Sequence, residues 1–166
     1  MNRLILMVGL PGCGKSTYAK KLIETHPDWI YISRDDVRYE WVTDQAHYFD
    51  HEKDVFREFC NRIDMHLMRE ETVIADATHI NAGSRSKLLK SLKVVPDEIW
   101  AIWIDTPFDL VMERNSAREG IIRVPDKTMY EMKNRFRPPA THENFDKIYR
   151  VRGWLYVWYK FNTNKN

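Results

Sequence analysis

A glycine-rich loop between an apolar run and an amphipathic segment is the feature that most restricts how this chain can fold. Residues 9–16 read Gly-Leu-Pro-Gly-Cys-Gly-Lys-Ser, which fits the pattern G-x-x-x-x-G-K-[ST] completely. The run before it, Arg3–Val8, predicts a buried strand, and Lys15–Thr25 predicts a helix. Glycines let such a loop curl so that its N–H groups point at an anion, which the helix N-terminus also attracts. The sequence therefore predicts a strand, a phosphate-binding loop and a helix in that order.

The side chains of this loop predict how a nucleotide would be held. Lys15 can reach the β- and γ-phosphates, and Ser16 can offer its hydroxyl to Mg²⁺. We expect a nucleotide to contact the loop and the first turn of the helix, through Gly9, Pro11, Gly12, Cys13, Gly14, Lys15, Ser16 and Thr17. The loop thus predicts ATP and Mg²⁺ as the cofactors.

Short apolar runs alternate with helical patterns along the rest of the chain. Further strands are predicted over Trp29–Ile32, Thr72–Asp76, Glu98–Ile104 and Lys147–Val151. Helices are predicted from a Ser33 cap to about Val42, and over Ala46–Arg69, Asn81–Lys93, Pro107–Ala117 and Pro125–Phe136. Trp154–Tyr159 predicts a last strand, forming a hairpin around Arg152-Gly153, with a helix as the open alternative.

This alternation predicts an α/β fold, with a mostly parallel sheet flanked by helices on both faces. The 166 residues contain no internal repeat, so we expect a single domain over 1–166, with a helical lid within about 107–140. In such sheets, ligands bind beyond the carboxyl ends of the strands. The residues that follow each strand are therefore the candidates for function.

The charge of the chain is balanced overall and unbalanced along its length. The 26 Lys+Arg and 24 Asp+Glu residues give a net charge of +2. Residues 44–71 carry eight acidic and four basic residues, whereas residues 111–139 carry seven basic and four acidic ones, and residues 140–166 five and two. The basic C-terminal third is compatible with a nucleic-acid partner, and an ordinary mixed surface is the alternative.

Cysteine content and hydropathy bear on location. The two cysteines cannot form a disulfide framework, and Cys13 lies inside the glycine-rich loop, which favours a reducing interior. No apolar run approaches the roughly 20 residues that span a membrane. We therefore expect a cytoplasmic protein without a membrane partner, and no sequence feature indicates an obligate protein partner.

The second strand is followed by Ser33-Arg34-Asp35-Asp36-Val37-Arg38. A carboxylate here can accept the proton of an attacking hydroxyl. In a helix, Asp35 and Arg38 share a face while Asp36 points about 100° away, so we assign Asp35 as the base. Arg38 then offers a planar cation for a phosphate on the acceptor. The alternative is a helix start with favourable acids and a surface ion pair.

Asp76 ends the third strand and is predicted to reach the same cleft. It can hold Mg²⁺ through water or orient Arg38, and a cap on the turn at 78–81 is the alternative. Ala77 follows where a hydrolytic ATPase would place a glutamate, and the guanine-reading motif Asn-Lys-x-Asp is absent. Transfer to a bound hydroxyl is therefore favoured over hydrolysis.

Arginines in and after the predicted helix 107–117 are candidates for closing over the nucleotide. Arg114 and Arg118 lie four residues apart on one helix face and can stabilise phosphate charge. Arg123 has no local feature that fixes its direction, and Gly120 can act as a hinge. The alternative is a solvated basic face. A pair of histidines in the acidic segment, His47 and His51, does not form a recognisable metal motif.

Four segments in order resemble the kinase domain of phage-type polynucleotide 5′-kinases, within the P-loop kinase superfamily. They are residues 9–17, residues 33–38, Ala-Asp-Ala-Thr-His-Ile-Asn at 75–81 and Glu-Arg-Asn-Ser-Ala-Arg at 113–118, and the stretches 123–125 and 136–145 are also similar. Relatives often have asparagine at the position of His79. The phosphatase motif Asp-x-Asp-x-Thr of the bifunctional relatives is absent, so we expect the kinase domain alone.

The resemblance implies a role for each matching site residue. Asp35 would be the general base on a 5′-hydroxyl of DNA or RNA, and Arg38 would bind the neighbouring phosphate of the acceptor. Lys15 and Ser16 would hold ATP and Mg²⁺. Asp76 would support the acceptor side, and Arg118 would clamp the ATP phosphates.

Two other functions stay open at this point. A kinase of a sugar, nucleoside or other small alcohol would use the same loop and base. A nucleotide-dependent binding protein without transfer activity would need the loop alone, and the presence of both Lys15 and Asp35 argues against it.

Overall fold

Strands and helices alternate along the chain, and the computed structural model describes them over residues 1–152, together with the backbone of residues 158–161. The strands are β1 (Arg3–Val8), β2 (Ile30–Ser33), β3 (Thr72–Asp76), β4 (Glu98–Asp105), β5 (Lys147–Arg152) and β6 (Trp158–Phe161). The helices are α1 (Lys15–Thr25), α2 (Arg34–Tyr39), α3 (Glu52–Leu67), α4 (Ala82–Ser91), α5 (Phe108–Ser116) and α6 (Asp126–Arg135). Short 3₁₀ turns lie at Gln45–His47, Gly120–Ile122 and Thr141–Glu143.

The strands form one sheet in the order β2-β3-β1-β4-β5-β6. The first five strands of this order run parallel, and β6 pairs antiparallel with β5. Helices connect the successive parallel strands, as parallel pairing requires. The connections β2–β3 and β4–β5 join neighbouring strands, whereas α1 and α4 each cross over one intervening strand. The predicted α/β fold with a mostly parallel sheet is confirmed.

Helices cover both faces of the sheet, because β1 sends apolar side chains to each. Leu4, Leu6 and Val8 pack on one face with buried residues of α3 and α4. Ile5 and Met7 pack on the other face with buried residues of α1, α5 and α6. The near-continuous apolar run that predicted β1 is thus the run of a central parallel strand buried on both sides. This core fixes the strand ends that carry the polar site residues.

The acidic segment differs from its prediction. A helix over Ala46–Arg69 is wrong at its beginning, because Gln45–His47 is a 3₁₀ turn and α3 begins at Glu52. Asp44 caps the turn, its carboxylate accepting from the His47 N–H at 3.0 Å. The helix ends at Leu67, and three residues later Glu70 adopts a left-handed φ of 59°. Helix propensity is thus overridden where side chains of this segment contact α2.

The Ser33 cap is confirmed, since Ser33 Oγ accepts from the Asp36 N–H at 3.2 Å. The helix it opens ends at Tyr39, earlier than the predicted Val42, although the Val42 N–H still donates to the Arg38 carbonyl. The predicted antiparallel pairing of the two last strands is confirmed, since Val151 pairs with Trp158. The predicted turn at Arg152-Gly153 is wrong, because six residues separate these paired positions. Residues 154–157 of the predicted last strand lie outside the described residues, and 158–159 are strand, not helix. No helix among the described residues is both long and apolar enough to cross a membrane.

Candidate active site

The phosphate-binding loop joins β1 to α1 and leaves the helix N-terminus open. Gly14, at the N-cap, adopts φ 102° and provides no side chain, and the first turn of α1 holds no acidic residue. Gly12 adopts φ 84°, and a Cβ there would lie 3.1 Å from the Val111 carbonyl oxygen. A side chain would therefore disturb both the loop and its contact with α5. The backbone N–H groups at this helix start form an anion site.

The loop is held from two sides by hydrogen bonds to its carbonyl groups. The buried Lys15 donates from Nζ to the Leu10 carbonyl at 3.0 Å. On the other side, the Cys13 carbonyl accepts from Thr106 Oγ1 at 2.7 Å and from Arg114 Nη1 at 3.3 Å. These bonds occupy loop carbonyls, so that the anion site is lined by N–H groups and cations.

A cavity of about 250 Å³ opens beside the loop. It is lined by Gly12, Cys13, Gly14, Thr17, Tyr18, Lys21, Ile104, Arg114, Arg118 and Val151. Both arginines predicted to face the nucleotide thus lie at one cavity, although Arg118 lies beyond the end of α5. Arg123 is not among the lining residues and pairs with Asp126 at 3.9 Å.

Sequence analysis missed the apolar end of this cavity. Ile104 and Val151 lie at the carboxyl ends of β4 and β5, which is where a parallel sheet places its ligands. That rule could have found them, because both strands were predicted. Tyr18 and Lys21 follow the loop on α1 and lie four residues after Gly14 and Thr17, respectively. That helical spacing was the available signal.

Ser16 and Asp76 lie within hydrogen-bond distance across the ends of β1 and β3. Ser16 Oγ donates to Asp76 Oδ2 at 2.6 Å, and the Tyr31 hydroxyl donates to the same oxygen at 2.6 Å. Burial raises the pKa of Tyr31, and the Asp76 carboxylate raises it further, so the phenol stays a donor. A serine hydroxyl and a carboxylate are hard oxygen ligands that suit Mg²⁺. Ser16 and Asp76 therefore fit this ion. The predicted alternative, in which Asp76 orients Arg38, is not seen, because the side-chain partners of Asp76 among the described residues are Ser16 and Tyr31.

A second cluster forms where α2 meets the beginning of α3. The Arg38 guanidinium, in a residue only 6% exposed, pairs with Asp35 on its own helix and with Glu52 at 3.0 Å. Arg38 Nη1 also donates to the Tyr48 hydroxyl at 3.0 Å. The Asp35 side chain remains 58% exposed. The prediction that Asp35 and Arg38 share a helix face is confirmed.

Two residues of this cluster were missed by sequence analysis. Glu52 binds Arg34 as well as Arg38, and the Tyr48 hydroxyl lies 3.3 Å from Asp35 Oδ1. Burial raises the pKa of Tyr48, as does the Asp35 carboxylate. No local pattern marks either residue, because their position depends on the break before α3. The Arg38 guanidinium was predicted to bind a phosphate of the acceptor. In this structure it pairs with the carboxylates of Asp35 and Glu52.

Strand register brings the Ser16–Asp76 pair and the Asp35–Arg38 pair to the carboxyl ends of the parallel strands. Asp76 pairs with Met7 on one side and with Ser33 on the other, and Asp35 follows Ser33 by two residues. Tyr39, on the same helix as Asp35, has a pKa raised by burial and by Asp35, while Arg38 and Arg118 oppose the increase. The helix that carries Asp35 therefore lies within electrostatic range of Arg118.

His79 connects the loop after β3 to β1. This buried residue adopts a left-handed φ of 44°, and its Nδ1 lies 2.7 Å from the Met7 carbonyl oxygen, to which it donates. Burial, together with the neighbouring Arg34, Lys15 and Arg85, lowers the pKa of His79 to about 4, although the hydrogen bond to the Met7 carbonyl opposes the decrease. The imidazole is therefore neutral at pH 7, with its donor committed to the backbone.

A five-strand parallel arrangement with a phosphate-binding loop after its central strand, covered by helices on both faces, defines the P-loop kinase fold. Residues 4–139 match the model of a protein family described as an AAA domain. Since this match spans most of the chain, the chain belongs to that family.

Comparison with known proteins gives relatives of several kinds. An L-seryl-tRNA(Sec) kinase from Methanococcus maripaludis is 27% identical over 152 residues, covering 86% of this chain and 56% of the relative. The chain thus spans about half the length of the curated relative it matches. Kti12 from Chaetomium thermophilum, solved with ADP-AlF3, gives a TM-score of 0.69 at 19% identity, covering 92% of this chain and 89% of that one.

A fungal RNA kinase gives a TM-score of 0.64 at 16% identity, covering 92% of this chain and 75% of that one. A sugar kinase and a gluconokinase have the same fold. Likenesses at these identities establish the fold, so the acceptor has to be argued from the side chains of the site.

Proposed function

We propose that this chain is a cytoplasmic ATP- and Mg²⁺-dependent kinase that transfers the γ-phosphate of ATP to a 5′-hydroxyl of DNA or RNA. The observation that carries the proposal is the Asp35–Arg38 pair, in which an exposed carboxylate contacts a buried guanidinium. The Ser16–Asp76 pair lies at the same end of the sheet. The first pair suits an acceptor alcohol with a neighbouring phosphate, and the second suits a nucleotide-bound metal. The name of the 27% identical relative, an L-seryl-tRNA(Sec) kinase, supports an acceptor that is carried on RNA.

The donor side of the site would bind the phosphates of ATP. The first backbone N–H groups of α1, from Lys15 onward, have no acceptor within the helix and would bind the phosphates. Lys15 would exchange its bond to the Leu10 carbonyl for phosphate oxygens. Arg114 and Arg118 line the adjoining cavity. Arg118 stabilises the charge that develops on the transferring group, and the segment 107–140 acts as a lid with Gly120 as its hinge.

Ser16 and Asp76 are the residues that would hold Mg²⁺. When bound there, Mg²⁺ would supply positive charge that offsets the charge of the nucleotide phosphates. Ser16 would offer its hydroxyl oxygen to the ion in place of its hydrogen bond to Asp76, and Asp76 would offer its carboxylate through water. Tyr31 keeps the freed Asp76 carboxylate in place through its 2.6 Å hydrogen bond.

The acceptor hydroxyl would lie against Asp35. Its oxygen forms the new bond to the γ-phosphorus as the bond to the β–γ bridging oxygen breaks, and ADP leaves. Asp35 accepts the hydroxyl proton as this bond forms. Arg38 holds the phosphate next to the reacting nucleotide, so that the hydroxyl is aligned for in-line transfer.

The occupied state of Arg38 favours one second candidate, a kinase of a small neutral alcohol. Glu52 already holds this guanidinium at 3.0 Å, so an acceptor without phosphate leaves the cluster intact. A phosphate-bearing acceptor has to share Arg38 with Glu52 or displace it. Arg34 remains as a second partner for the Glu52 carboxylate, which makes that exchange feasible.

Transfer of label from γ-labelled ATP tests the proposal. The protein is offered 5′-hydroxyl oligonucleotides and a panel of sugars, nucleosides and other small alcohols in Mg²⁺ buffer. We expect label on the oligonucleotides, and label on the small alcohols alone would overturn the proposal. Asp35→Asn should lower kcat by at least about 100-fold while ATP still binds. Asp36→Asn, at the exposed neighbouring position, is the matched control and should keep its kcat.

A further inference from the structure

We propose that Phe49, braced by Tyr48, is a stacking platform for the terminal nucleobase of the acceptor. This inference rests on the proposed function, because it assigns the base of the same nucleotide whose 5′-hydroxyl lies against Asp35. The partner it specifies is the flat face of an aromatic base. A sugar or an alkyl alcohol has no such face.

Phe49 is an aromatic side chain left open to solvent. Its residue is 64% exposed, and it belongs to neither apolar cluster of the described core. Among the described residues, its ring contacts the ring of Tyr48 edge to face, with 4.9 Å between the two centroids. An exposed ring of this kind contributes little to folding, and an aromatic side chain next to a nucleic-acid site can stack on a base.

Tyr48 ties this ring to the acceptor cluster. Its hydroxyl lies 3.3 Å from Asp35 Oδ1, and its own ring is covered by the Arg38 guanidinium at 4.6 Å. Phe49 is therefore one ring removed from the carboxylate that takes the proton. In a nucleotide, the base and the 5′-hydroxyl are carried by the same sugar, so a base on Phe49 and a hydroxyl at Asp35 belong to one residue of the acceptor.

The charge around Phe49 favours a base over a phosphate. Residues 44–54 hold four acidic side chains, Asp44, Asp50, Glu52 and Asp54, against one lysine, Lys53. Glu52 and Asp54 are paired with arginines outside this segment. The carboxylate next to Phe49 in the chain, Asp50, is in none of the ion pairs of the described residues and disfavours a phosphate there, whereas a base brings no negative charge. Stacking on aromatic side chains is also tolerant of sequence, because every base has a π-face. Stacking on Phe49 would thus add binding energy to a site in which Arg38 is the residue proposed to bind the acceptor phosphate.

Two oligonucleotides that differ only at their 5′ end test the platform. One carries a normal 5′-terminal base, and the other carries a tetrahydrofuran residue, which keeps the 5′-hydroxyl and the phosphates and lacks the base. With the unaltered protein we expect KM to rise about tenfold on loss of the base, with kcat little changed. Phe49→Leu keeps an apolar side chain without a π-face and should give the same KM for both, whereas Phe49→Trp should preserve the difference.

Met68→Ala is the matched control, since Met68 is an exposed apolar residue beyond the other end of α3. Equal KM values for the two ends with the unaltered protein would overturn the platform, as would an undiminished difference in Phe49→Leu. Light scattering shows whether Phe49→Leu changes the oligomeric state. A change in oligomeric state without a change in the KM ratio would also overturn the platform, and it would assign the Phe49 ring to self-association.

The platform and the proposed function fail in different ways. If no oligonucleotide accepts phosphate, the proposed function fails. Equilibrium binding of the same two oligonucleotides, in the presence of a non-hydrolysable ATP analogue, then still tests whether Phe49 stacks on the terminal base. Tighter binding of the base-bearing end that Phe49→Leu abolishes would uphold it. Equal binding, or none, would overturn it.

Discussion

Tyr31 and Ser16 donate to the same oxygen of Asp76, each at 2.6 Å. One carboxylate oxygen thus joins the phosphate-binding loop to β2, two strands away in the sheet order. In the proposed function, Tyr31 would keep its hydrogen bond to Asp76 when Ser16 binds the metal ion. The proposal therefore makes Tyr31 a positioning residue for that ion.

Tyr31→Phe should therefore weaken the response to Mg²⁺ and spare the nucleotide itself. A hydrogen bond to a charged group contributes about 1.5–3 kcal/mol, so we expect the Mg²⁺ concentration for half-maximal enhancement of ATP binding to rise about tenfold or more. Calorimetric titration with ATP, at several Mg²⁺ concentrations and without Mg²⁺, measures both quantities. Tyr130→Phe alters an exposed phenol and is the control. An unchanged Mg²⁺ dependence in Tyr31→Phe would show that Asp76 needs no such support.

Arg38→Ala should discriminate between acceptors. The guanidinium lies between Asp35 and Glu52, and Arg34 still pairs with Glu52 after its removal, so the variant leaves no unpaired glutamate. We expect KM to rise at least about tenfold for acceptors with a phosphate next to the reacting nucleotide. Nucleosides that lack that phosphate should show a smaller change. Steady-state kinetics on a matched nucleoside and 3′-phosphate pair give the comparison, and equal losses on both would remove Arg38 from the acceptor phosphate.

Local spacing was enough to predict the phosphate loop and the shared face of Asp35 and Arg38. The loop motif fixes its own backbone through its glycines, and residues three apart in a helix are neighbours whatever surrounds them. The sheet followed from the alternation of elements. These features depend on contacts that are short in sequence.

The partners of those residues depend on contacts that are long in sequence. Tyr31 reaches Asp76 only through the register of β2 on β3, which no local pattern specifies. Glu52 reaches Arg38 only because α3 begins six residues later than the pattern of Ala46–Arg69 predicted. The candidate base could therefore be named from the sequence, whereas the tyrosine and glutamate side chains around the site could not.

Acid should destabilise the fold through His79. Burial lowers its pKa to about 4, below the ordinary value of about 6.5 that applies in the unfolded chain. The unfolded state therefore binds more protons between these values, and stability falls as pH decreases from about 6.5 to 4. The expected loss from this residue is about 3 kcal/mol over that window.

His79→Asn should remove much of this loss, because asparagine does not titrate and tolerates the left-handed backbone of this position. Urea unfolding at intervals between pH 7 and pH 4 measures the difference between the two proteins. His47→Asn is the control: this exposed histidine has a pKa raised by Asp44, so the sign of its effect is opposite. A parallel decline in stability for His79→Asn and the unaltered protein would contradict the buried neutral imidazole.

Arg85→Ala should be the most destabilising of these changes. Arg85 is 1% exposed and pairs with Glu143 through two bonds of 2.7 Å. It also donates to the carbonyls of His79, Arg137 and Pro138, so it joins α4 to the loop after β3 and to the segment that follows α6. Removing one partner of a buried pair leaves its charge uncompensated, which costs about 3–5 kcal/mol.

The free energy of unfolding in urea at pH 7 measures this cost, with Arg57→Ala as the control for an exposed ion pair on α3, where we expect a change below about 1 kcal/mol. Arg85→Ala/Glu143→Gln should recover part of the loss, because the double variant removes the unpaired carboxylate while the three carbonyls still lack a donor. If the single and double variants are equally unstable, the carbonyl contacts of Arg85 outweigh its ion pair. If both match the unaltered protein, this residue does not hold the two segments together.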